Sequence, residues 1–445
     1  MSARASKSSS QKAKGKSSSK IINSEDLLAR IAELEDENER LKQERDSAKR
    51  NSIFAISTPD IYSNLTKLQI NFRERFAKNY ESLRHGIDFD IRPWVDAAAA
   101  QRKIDPKLIL DAIGDRRKRQ FFACVITFLF LPTSMLLSLV WLYLSFVDKT
   151  RIFGSLLVIY ALYIYFDKSH EKGSKACAWL KKHNFWKSLC NYFPIILVKA
   201  NPDTVFDPMG TYMFGYHPHG IISVGCFVSF AANATGVSEM FPGIEIHAAT
   251  LNTNFNVPFW RELILRLGVI SVSAPSLKYV LNQGPGNAVI VVPGGAAEAL
   301  DARPGTHSLT LNRRQGFFRI ALEHGASLVP IYSFGENDLY EQVPNDEGTL
   351  IRKFQNLLLK YLGFATPFFS GAGSSGTAIP MNPIPSRVPI ITVVGDPIKC
   401  PKIESPTQDD IDRVRVLYVE KLQEIFMQFA DKYAPQRSKD LEIVK

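Results

Sequence analysis

Phe214-Gly215-Tyr216-His217-Pro218-His219-Gly220-Ile221 places two histidines two residues apart, where a buried strand gives way to a helix. Upstream, Thr211 to Tyr216 is β-branched and aromatic and follows Gly210, which predicts a strand. Downstream, Ile221, Ile222, Val224, Gly225, Phe227 and Val228 recur at helical spacing, with Pro218 and Gly220 marking the turn between the two elements. A histidine just before a helix feels the positive end of the dipole, which disfavours imidazolium and leaves a lone pair free to accept a proton. That suits a general base near neutral pH. The same His-x-His also reads as a pair of satisfied turn histidines or as a metal site, and the rest of the chain has to decide.

The chain has 445 residues, of which 45% are hydrophobic, enough for one large domain with appendages. A formal net charge of +10 points to an anionic partner, nucleic acid or a membrane surface, and the placement of the charge separates the two. Five scattered cysteines without metal-ligand spacing indicate neither a disulfide framework nor a zinc site, and fit a reducing, cytosol-facing compartment. No metal is expected.

Residues 1–23 are Ser-rich and basic, and predict a disordered tail without the apolar core of a secretory signal. In 24–49, Leu27, Leu34 and Leu41 lie seven apart with Ile31 and Asn38 between them. This coiled-coil-like pattern, if it pairs, makes a homo-oligomer through residues 24–49. It also reads as a solvated amphipathic helix. The stretch 51–120 carries Ile61, Leu65, Leu68, Phe72 and Phe76 among basic residues, and fits either a bilayer surface or the main domain.

Arg116-Arg117-Lys118-Arg119 abuts a charge-free run from Phe121 to Phe146, long enough to span the roughly 30 Å of a bilayer's hydrocarbon. A second run, Ile152 to Phe166, reaches only about 22 Å as a helix. Residues 121–166 are therefore a membrane hairpin, spanning or wedged into one leaflet. Basic residues on both sides put both ends in the cytosol. The positive charge is thus assigned to membrane lipids, and no nucleic-acid partner is expected.

From 167 to 445 short apolar strands alternate with amphipathic helices, the pattern of an α/β domain. Expected strands are Thr211–Tyr216, Ile244–Leu251, Val269–Ser273, Ala288–Val292, Ser327–Phe334 and Pro389–Val394. Helices are expected after His219, Pro258, Ala274, Asn312, Asp346 and Thr407. Pro330 inside a strand predicts an edge or a bulge. Phe368 to Pro385 reads as a long loop.

Two further stretches carry chemistry. Val291-Val292-Pro293-Gly294-Gly295-Ala296-Ala297-Glu298 is a buried strand ending in a Gly-Gly turn, where small residues admit a close neighbour. Glu298 at its exit, on the sheet edge of His219, can orient the imidazole, while a backbone N–H there can face an oxyanion. Arg314-Gln315-Gly316-Phe317-Phe318-Arg319 sets cations near a helix start, where phosphates bind.

Together with Tyr192-Phe193-Pro194 and Val329-Pro330-Ile331-Tyr332-Ser333-Phe334-Gly335-Glu336-Asn337, these blocks resemble the diacylglycerol acyltransferase type 2 family, which includes the monoacylglycerol and wax-ester acyltransferases. The likeness runs from about Asn191 to about Pro435. It implies a glycerolipid-acyltransferase-like central sheet flanked by helices. It implies acyl transfer from acyl-CoA, as co-substrate and with no cofactor, to the hydroxyl of diacylglycerol. Monoacylglycerol or a fatty alcohol as acceptor, and a non-catalytic lipid-droplet scaffold, are the alternatives; no Gly-x-Ser-x-Gly elbow supports a serine lipase. The implied roles are His219 as base, His217 assisting or shaping the turn, and Glu298 orienting a histidine. Gly294 and Gly295 are expected as backbone donors and Arg314 and Arg319 on the CoA phosphates, with Tyr192, Phe193, Pro194, Pro218 and Gly220 in the substrate site. Broader glycerolipid acyltransferases carry an Asp five residues after the histidine, where this chain has Val224. The resemblance also implies an endoplasmic-reticulum membrane protein, with lipid droplets as a second location.

Overall fold

Alternating apolar runs too short for helices build the central sheet, and their order brings three chain reversals to one edge. The computed structural model describes residues 117–362, 367–371 and 382–444, with the isolated positions Asp96 and Lys107. All belong to one compact unit, Asn64–Lys445. The tail 1–23, the coiled-coil pattern 24–49 and nearly all of the amphipathic stretch 51–120 lie outside the described residues.

Eleven strands are described: β1 (Ile195–Lys199), β2 (Tyr212–His217), β3 (Glu245–Thr250), β4 (Ile270–Ser271), β5 (Asn287–Val291), β6 (Ser308–Thr310), β7 (Ser327–Phe334), β8 (Glu341–Gln342), β9 (Phe369–Ser370), β10 (Ile390–Val394) and β11 (Glu442–Val444). Seven form one sheet in the order β1-β10-β7-β2-β5-β3-β4. Only the β10–β7 pair is antiparallel, so β1 and β10 run against the other five. β2 sits in the middle and is buried along its whole length. Its side chains alternate between two cores, as a pleated strand demands. Tyr212, Phe214 and Tyr216 pack with Phe230 and Phe241 on one face, while Met213 joins Phe317, Tyr418 and Phe426 on the other.

The six expected strands are all present. Pro330 lies in an interior strand, not at an edge, because β7 pairs with β2 on one side and β10 on the other. Its carbonyl accepts from Gly395 N–H, and bridging resumes between Leu328 and Ile398. Two steps on β7 thus face three on the other chain, so the bulge alternative accounts for the missing donor. The last helix, Gln408–Tyr433, starts with a capping box: Thr407 Oγ1 accepts from Asp410 N–H while the Asp410 carboxylate takes Thr407 N–H.

Helices Arg117–Val147 and Ile152–Phe166 form the hairpin. Among the described residues, two helices, Arg119–Val147 and Ile152–Lys172, are long and apolar enough to cross a membrane. Their outer faces are bare: Phe146 is 82% exposed and Phe166 73%. Their base is fastened to the domain. Phe128 meets Phe193 edge-on at 5.9 Å, and Arg387 donates to Gln120 Oε1 at 2.9 Å and to Tyr192 O at 2.8 Å. At the other end of the hairpin, fully buried Arg261 pairs with Asp167 and lies 5.7 Å from the Tyr163 ring.

Removing one partner of a buried ion pair strands the other charge, which costs about 3–5 kcal/mol. Asp167 keeps a second cation, Lys175 Nζ at 2.7 Å, so Arg261→Met should cost less than that while still lowering the thermal unfolding midpoint in detergent. Adding Lys175→Met, which leaves the carboxylate unpaired, should lower it further; equal midpoints for wild type and Arg261→Met would show that the pair does not fasten the hairpin.

Candidate active site

The parallel pairing of β2 with β5 and β7 brings the C-terminal ends of all three strands to one edge, the place where open α/β sheets bind ligands. β2 ends at His217, followed by a cis peptide to Pro218 and by Gly220 at φ +59°. The helix expected from His219 begins later, at Val224, and passes into a π-helix over Phe227–Ala231. Ser223, at φ +54°, holds the intervening turn: its N–H and Oγ both donate to His219 O, at 3.0 and 2.9 Å. The helix start consequently points at another group. Gly225 N–H donates to Glu336 Oε2 at 2.9 Å, so the dipole is answered by a carboxylate and does not act on His219.

His219 is held through its main chain. Its N–H donates to Glu298 Oε1 at 2.6 Å, and Glu298 Oε2 accepts Thr310 N–H at 2.8 Å. Glu298 thus bonds the backbone of His219, not the imidazole as the sequence reading has it. The ring's Nδ1 lies 3.1 Å from Gly220 O. A carbonyl only accepts, so Nδ1 carries the proton and Nε2 the lone pair. Burial first, helped by Arg314, lowers the His219 pKa below the ordinary 6.5 and keeps the ring neutral. Glu298 is 2% exposed, and burial pushes its carboxyl up to about 7 against the pull of its two N–H donors and Arg314.

The Gly-Gly turn is shaped by these groups. A Cβ on Gly294 would stand 2.1 Å from Glu298 Oε2, so a side chain at 294 would expel the carboxylate. Arg314 Nη2 donates to Gly294 O at 2.8 Å and spans the turn from outside. Gly295 N–H is spent on Val292 O at 3.2 Å, which removes one of the two expected donors and leaves the Gly294 N–H.

His217 has a different setting. It is fully buried, and Nε2 lies 3.1 Å from Tyr418 Oη, which also lies 3.2 Å from Gly215 O. The single phenolic proton goes to the carbonyl, so Nε2–H donates to Tyr418 and Nδ1 keeps a lone pair with no partner among the described residues. Burial drives its pKa down to about 3.

Glu336, just beyond β7 and 1% exposed, lies in one of the blocks that carry the family resemblance but has no role assigned from the sequence. Its Oε2 accepts from Tyr216 Oη at 2.7 Å and from Gly225 N–H, and burial raises its pKa to about 7. A Cβ on Gly220 would meet its Cγ at 2.9 Å, and one on Gly225 would meet Oε2 at 2.7 Å. Glu336 therefore props the inner side of the His219 turn as Glu298 holds the outer. Register offered a signal for it: His217 pairs with Tyr332, so the residue leaving β7 must come up beside the turn.

Other expected residues stand elsewhere. Arg319 is exposed on the helix Gln315–His324 and touches none of the site groups above. Tyr192 and Phe193 are at most 1% exposed and Pro194 is buried, so they form core under the hairpin instead of a substrate surface.

The sequence profile described as diacylglycerol acyltransferase matches residues 145–444. The chain is 40% identical over 339 residues to diacylglycerol O-acyltransferase 2B of Umbelopsis ramanniana, covering 75% of this chain and 94% of that one. Identity is 42% to diacylglycerol O-acyltransferase 2 of Dictyostelium discoideum, over 66% and 87% of the two chains. It is 43% to diacylglycerol O-acyltransferase 2 of Homo sapiens, over 64% and 73%. Among solved structures, a 1-acyl-sn-glycerophosphate acyltransferase of Thermotoga maritima superposes with a TM-score of 0.34 at 11% identity, over 73% of this chain and all of that one, too slight a likeness to argue from.

Both buried carboxyls have folded-state pKa values raised from 4.5 to about 7. Between those values the folded chain keeps protons that the unfolded chain has released, so their contribution to stability is full below pH 4.5 and is lost as pH rises towards 7. Glu336→Gln can place its amide oxygen at Oε2 and its nitrogen at Oε1, where no partner stands among the described residues. That variant should gain on wild type by on the order of 2–3 kcal/mol between pH 5 and 8 in denaturant titrations. Parallel curves would show that Glu336 titrates normally.

Proposed function

This chain belongs to the diacylglycerol acyltransferase family, and from that premise we propose that it transfers an acyl group from acyl-CoA to the free hydroxyl of diacylglycerol, giving triacylglycerol, with His219 as general base. The observation that carries the reading is the tautomer of His219: with Nδ1–H given to Gly220 O, the ring presents an Nε2 lone pair and stays neutral. A base needs that state before substrate arrives.

In the proposed reaction the acceptor hydroxyl gives its proton to Nε2 while its oxygen attacks the thioester carbonyl. The tetrahedral oxyanion forms beside the Gly294 N–H, the donor left at the Gly-Gly turn. As it collapses, the C–S bond breaks, and the CoA thiolate takes the proton back from the imidazolium. Glu298 is a positioning residue here, fixing the main chain that carries the ring. His217, paired with Tyr418 on the far side of β2, shapes the strand end. Arg314 and exposed Arg319 are the proposed contacts for the CoA phosphates. Acyl-CoA, diacylglycerol and the membrane are the partners of this reading.

The exposed apolar hairpin supports membrane attachment through 121–166, and the basic residues on either side support cytosolic termini on the endoplasmic reticulum or lipid droplets. A tag at the C-terminus is expected to be cut by protease in intact microsomes; its survival while cytosolic markers are degraded would reverse the topology.

His219→Ala should reduce initial rates with diacylglycerol and labelled acyl-CoA by about 10²–10⁴-fold without loss of thermal stability. Glu298→Gln should lose less and His217→Ala least. Because the His219 pKa is lowered, the acid limb of kcat/KM should fall below pH 6.5, the ordinary histidine value. Near wild-type turnover in His219→Ala would remove it from the mechanism.

A further inference from the structure

A cleft of about 750 Å³ is lined by segments from 181–187, 199–206 and 233–242. Its position follows from the sheet. Lys199 pairs with Val394, Val394 with Ile331 and Ile331 with Tyr216, so the C-terminal end of β1 is level with the end of β2, three strands away. Three strand spacings, about 14 Å, lie between the two strands.

The cleft's charge is one-sided. Lys181, Lys182, Lys187 and Lys199 line it against a single carboxylate, Glu239. Lys199 is engaged with Thr204 O at 2.8 Å and with the Phe206 ring. Lys181 is half-buried, and burial lowers its pKa more than the attraction of Glu245 raises it. A desolvated ammonium with so little compensation is costly unless an anion comes to it.

A second, independent observation lies in the same wall. Thr235 is 3% exposed and its Oγ1 has no hydrogen-bond partner among the described residues, although buried hydroxyls are nearly always paired. Threonine hydroxyl and lysine ammonium together make a donor set suited to phosphate oxygens.

We propose that this cleft binds a phosphate-bearing ligand, with Lys181 and Thr235 as its inner contacts and Lys182 and Lys187 at its mouth. The chemistry is shared by an anionic lipid headgroup and by a soluble phosphoester. The lipid source is favoured by the helix Asn184–Tyr192, which supplies Trp186 and Lys187 to the cleft and packs on the base of the membrane hairpin. The assignment does not depend on where acyl transfer occurs.

The test uses the full chain in phosphatidylcholine nanodiscs, lightly acetylated with acetic anhydride, with labelling of each lysine read by mass spectrometry. One arm adds phosphatidic acid to the discs, a second adds adenosine 3′,5′-bisphosphate to the buffer, and a third adds chloride at matched ionic strength. Several-fold protection of Lys181 and Lys187, with exposed Lys353 unaffected, is expected from at least one phosphate-bearing probe. Protection by phosphatidic acid alone identifies a lipid headgroup, and protection by the bisphosphate alone a soluble phosphoester. Thr235→Val, which keeps the shape and removes the hydroxyl, should weaken that protection. The proposal is overturned if neither probe protects the cleft lysines, if chloride protects them equally, or if Thr235→Val leaves the protection unchanged.

Discussion

One carboxylate, Glu298, holds the main chain of His219 with Oε1 and that of Thr310 with Oε2, and so ties the ends of β2, β5 and β6 together. Strand ends at the C-terminal edge of a parallel sheet carry backbone groups that the ladder no longer pairs, and each needs a partner once buried. Glu298 serves two of them. Its position also dictates the sequence around it: Gly294 has to be glycine because the carboxylate fills the space of its Cβ. Arg314 can bridge the turn only because Gly294 O then faces outward.

The two histidines follow from the same arrangement, with opposite outcomes. The chain reverses at Pro218 and Gly220, so His217 stays in the β2 pleat and points into the core with Tyr418, while His219 leaves the pleat and is half-buried. Burial keeps both neutral, and the bond made by one nitrogen fixes the state of the other. In His217 the free lone pair is sealed inside. In His219, which is not sealed, it is on Nε2. The distinction that assigns the proposed base is thus one of exposure and tautomer, not of intrinsic basicity.

Much of this was legible in the sequence. The β-branched and aromatic runs located all six expected strands, and parallel α/β topology put the His-x-His and Gly-Gly turns on one edge. The three-residue strands β6 and β11 and the two-residue strands β8 and β9 were not legible, because so few residues show no period. The late helix start was hidden for a related reason: Ile221 and Ile222 fit the helical spacing, but Ser223 in a left-handed conformation breaks the helix before it begins. Contacts between side chain and main chain leave no pattern at all. Glu298 reads naturally as a partner for an imidazole, and only the fold brings it to the backbone N–H of His219 instead. Glu336 gave no sign beyond its place after β7, since its importance comes from two glycines that make room for it.

The hairpin imposes a further constraint on the domain it carries. Its helices are apolar on their outer faces, and they meet the domain along their inner side, where Phe130 lies 6.2 Å from Trp260 and Trp141 6.4 Å from Phe259, and by polar contacts at the roots. The chain uses guanidinium groups there. Arg387 reaches Gln120 and the Tyr192 carbonyl next to the first helix, and buried Arg261 reaches Asp167 after the second. Arginine suits both places because its donors are fixed in a plane and bond backbone and carboxylate together. Two such fastenings, one at each root of the hairpin, hold the domain in one orientation to the helices. On the proposed mechanism that orientation matters more than further membrane area, because the lipid hydroxyl then has to arrive at Nε2 of His219 on one edge of the sheet.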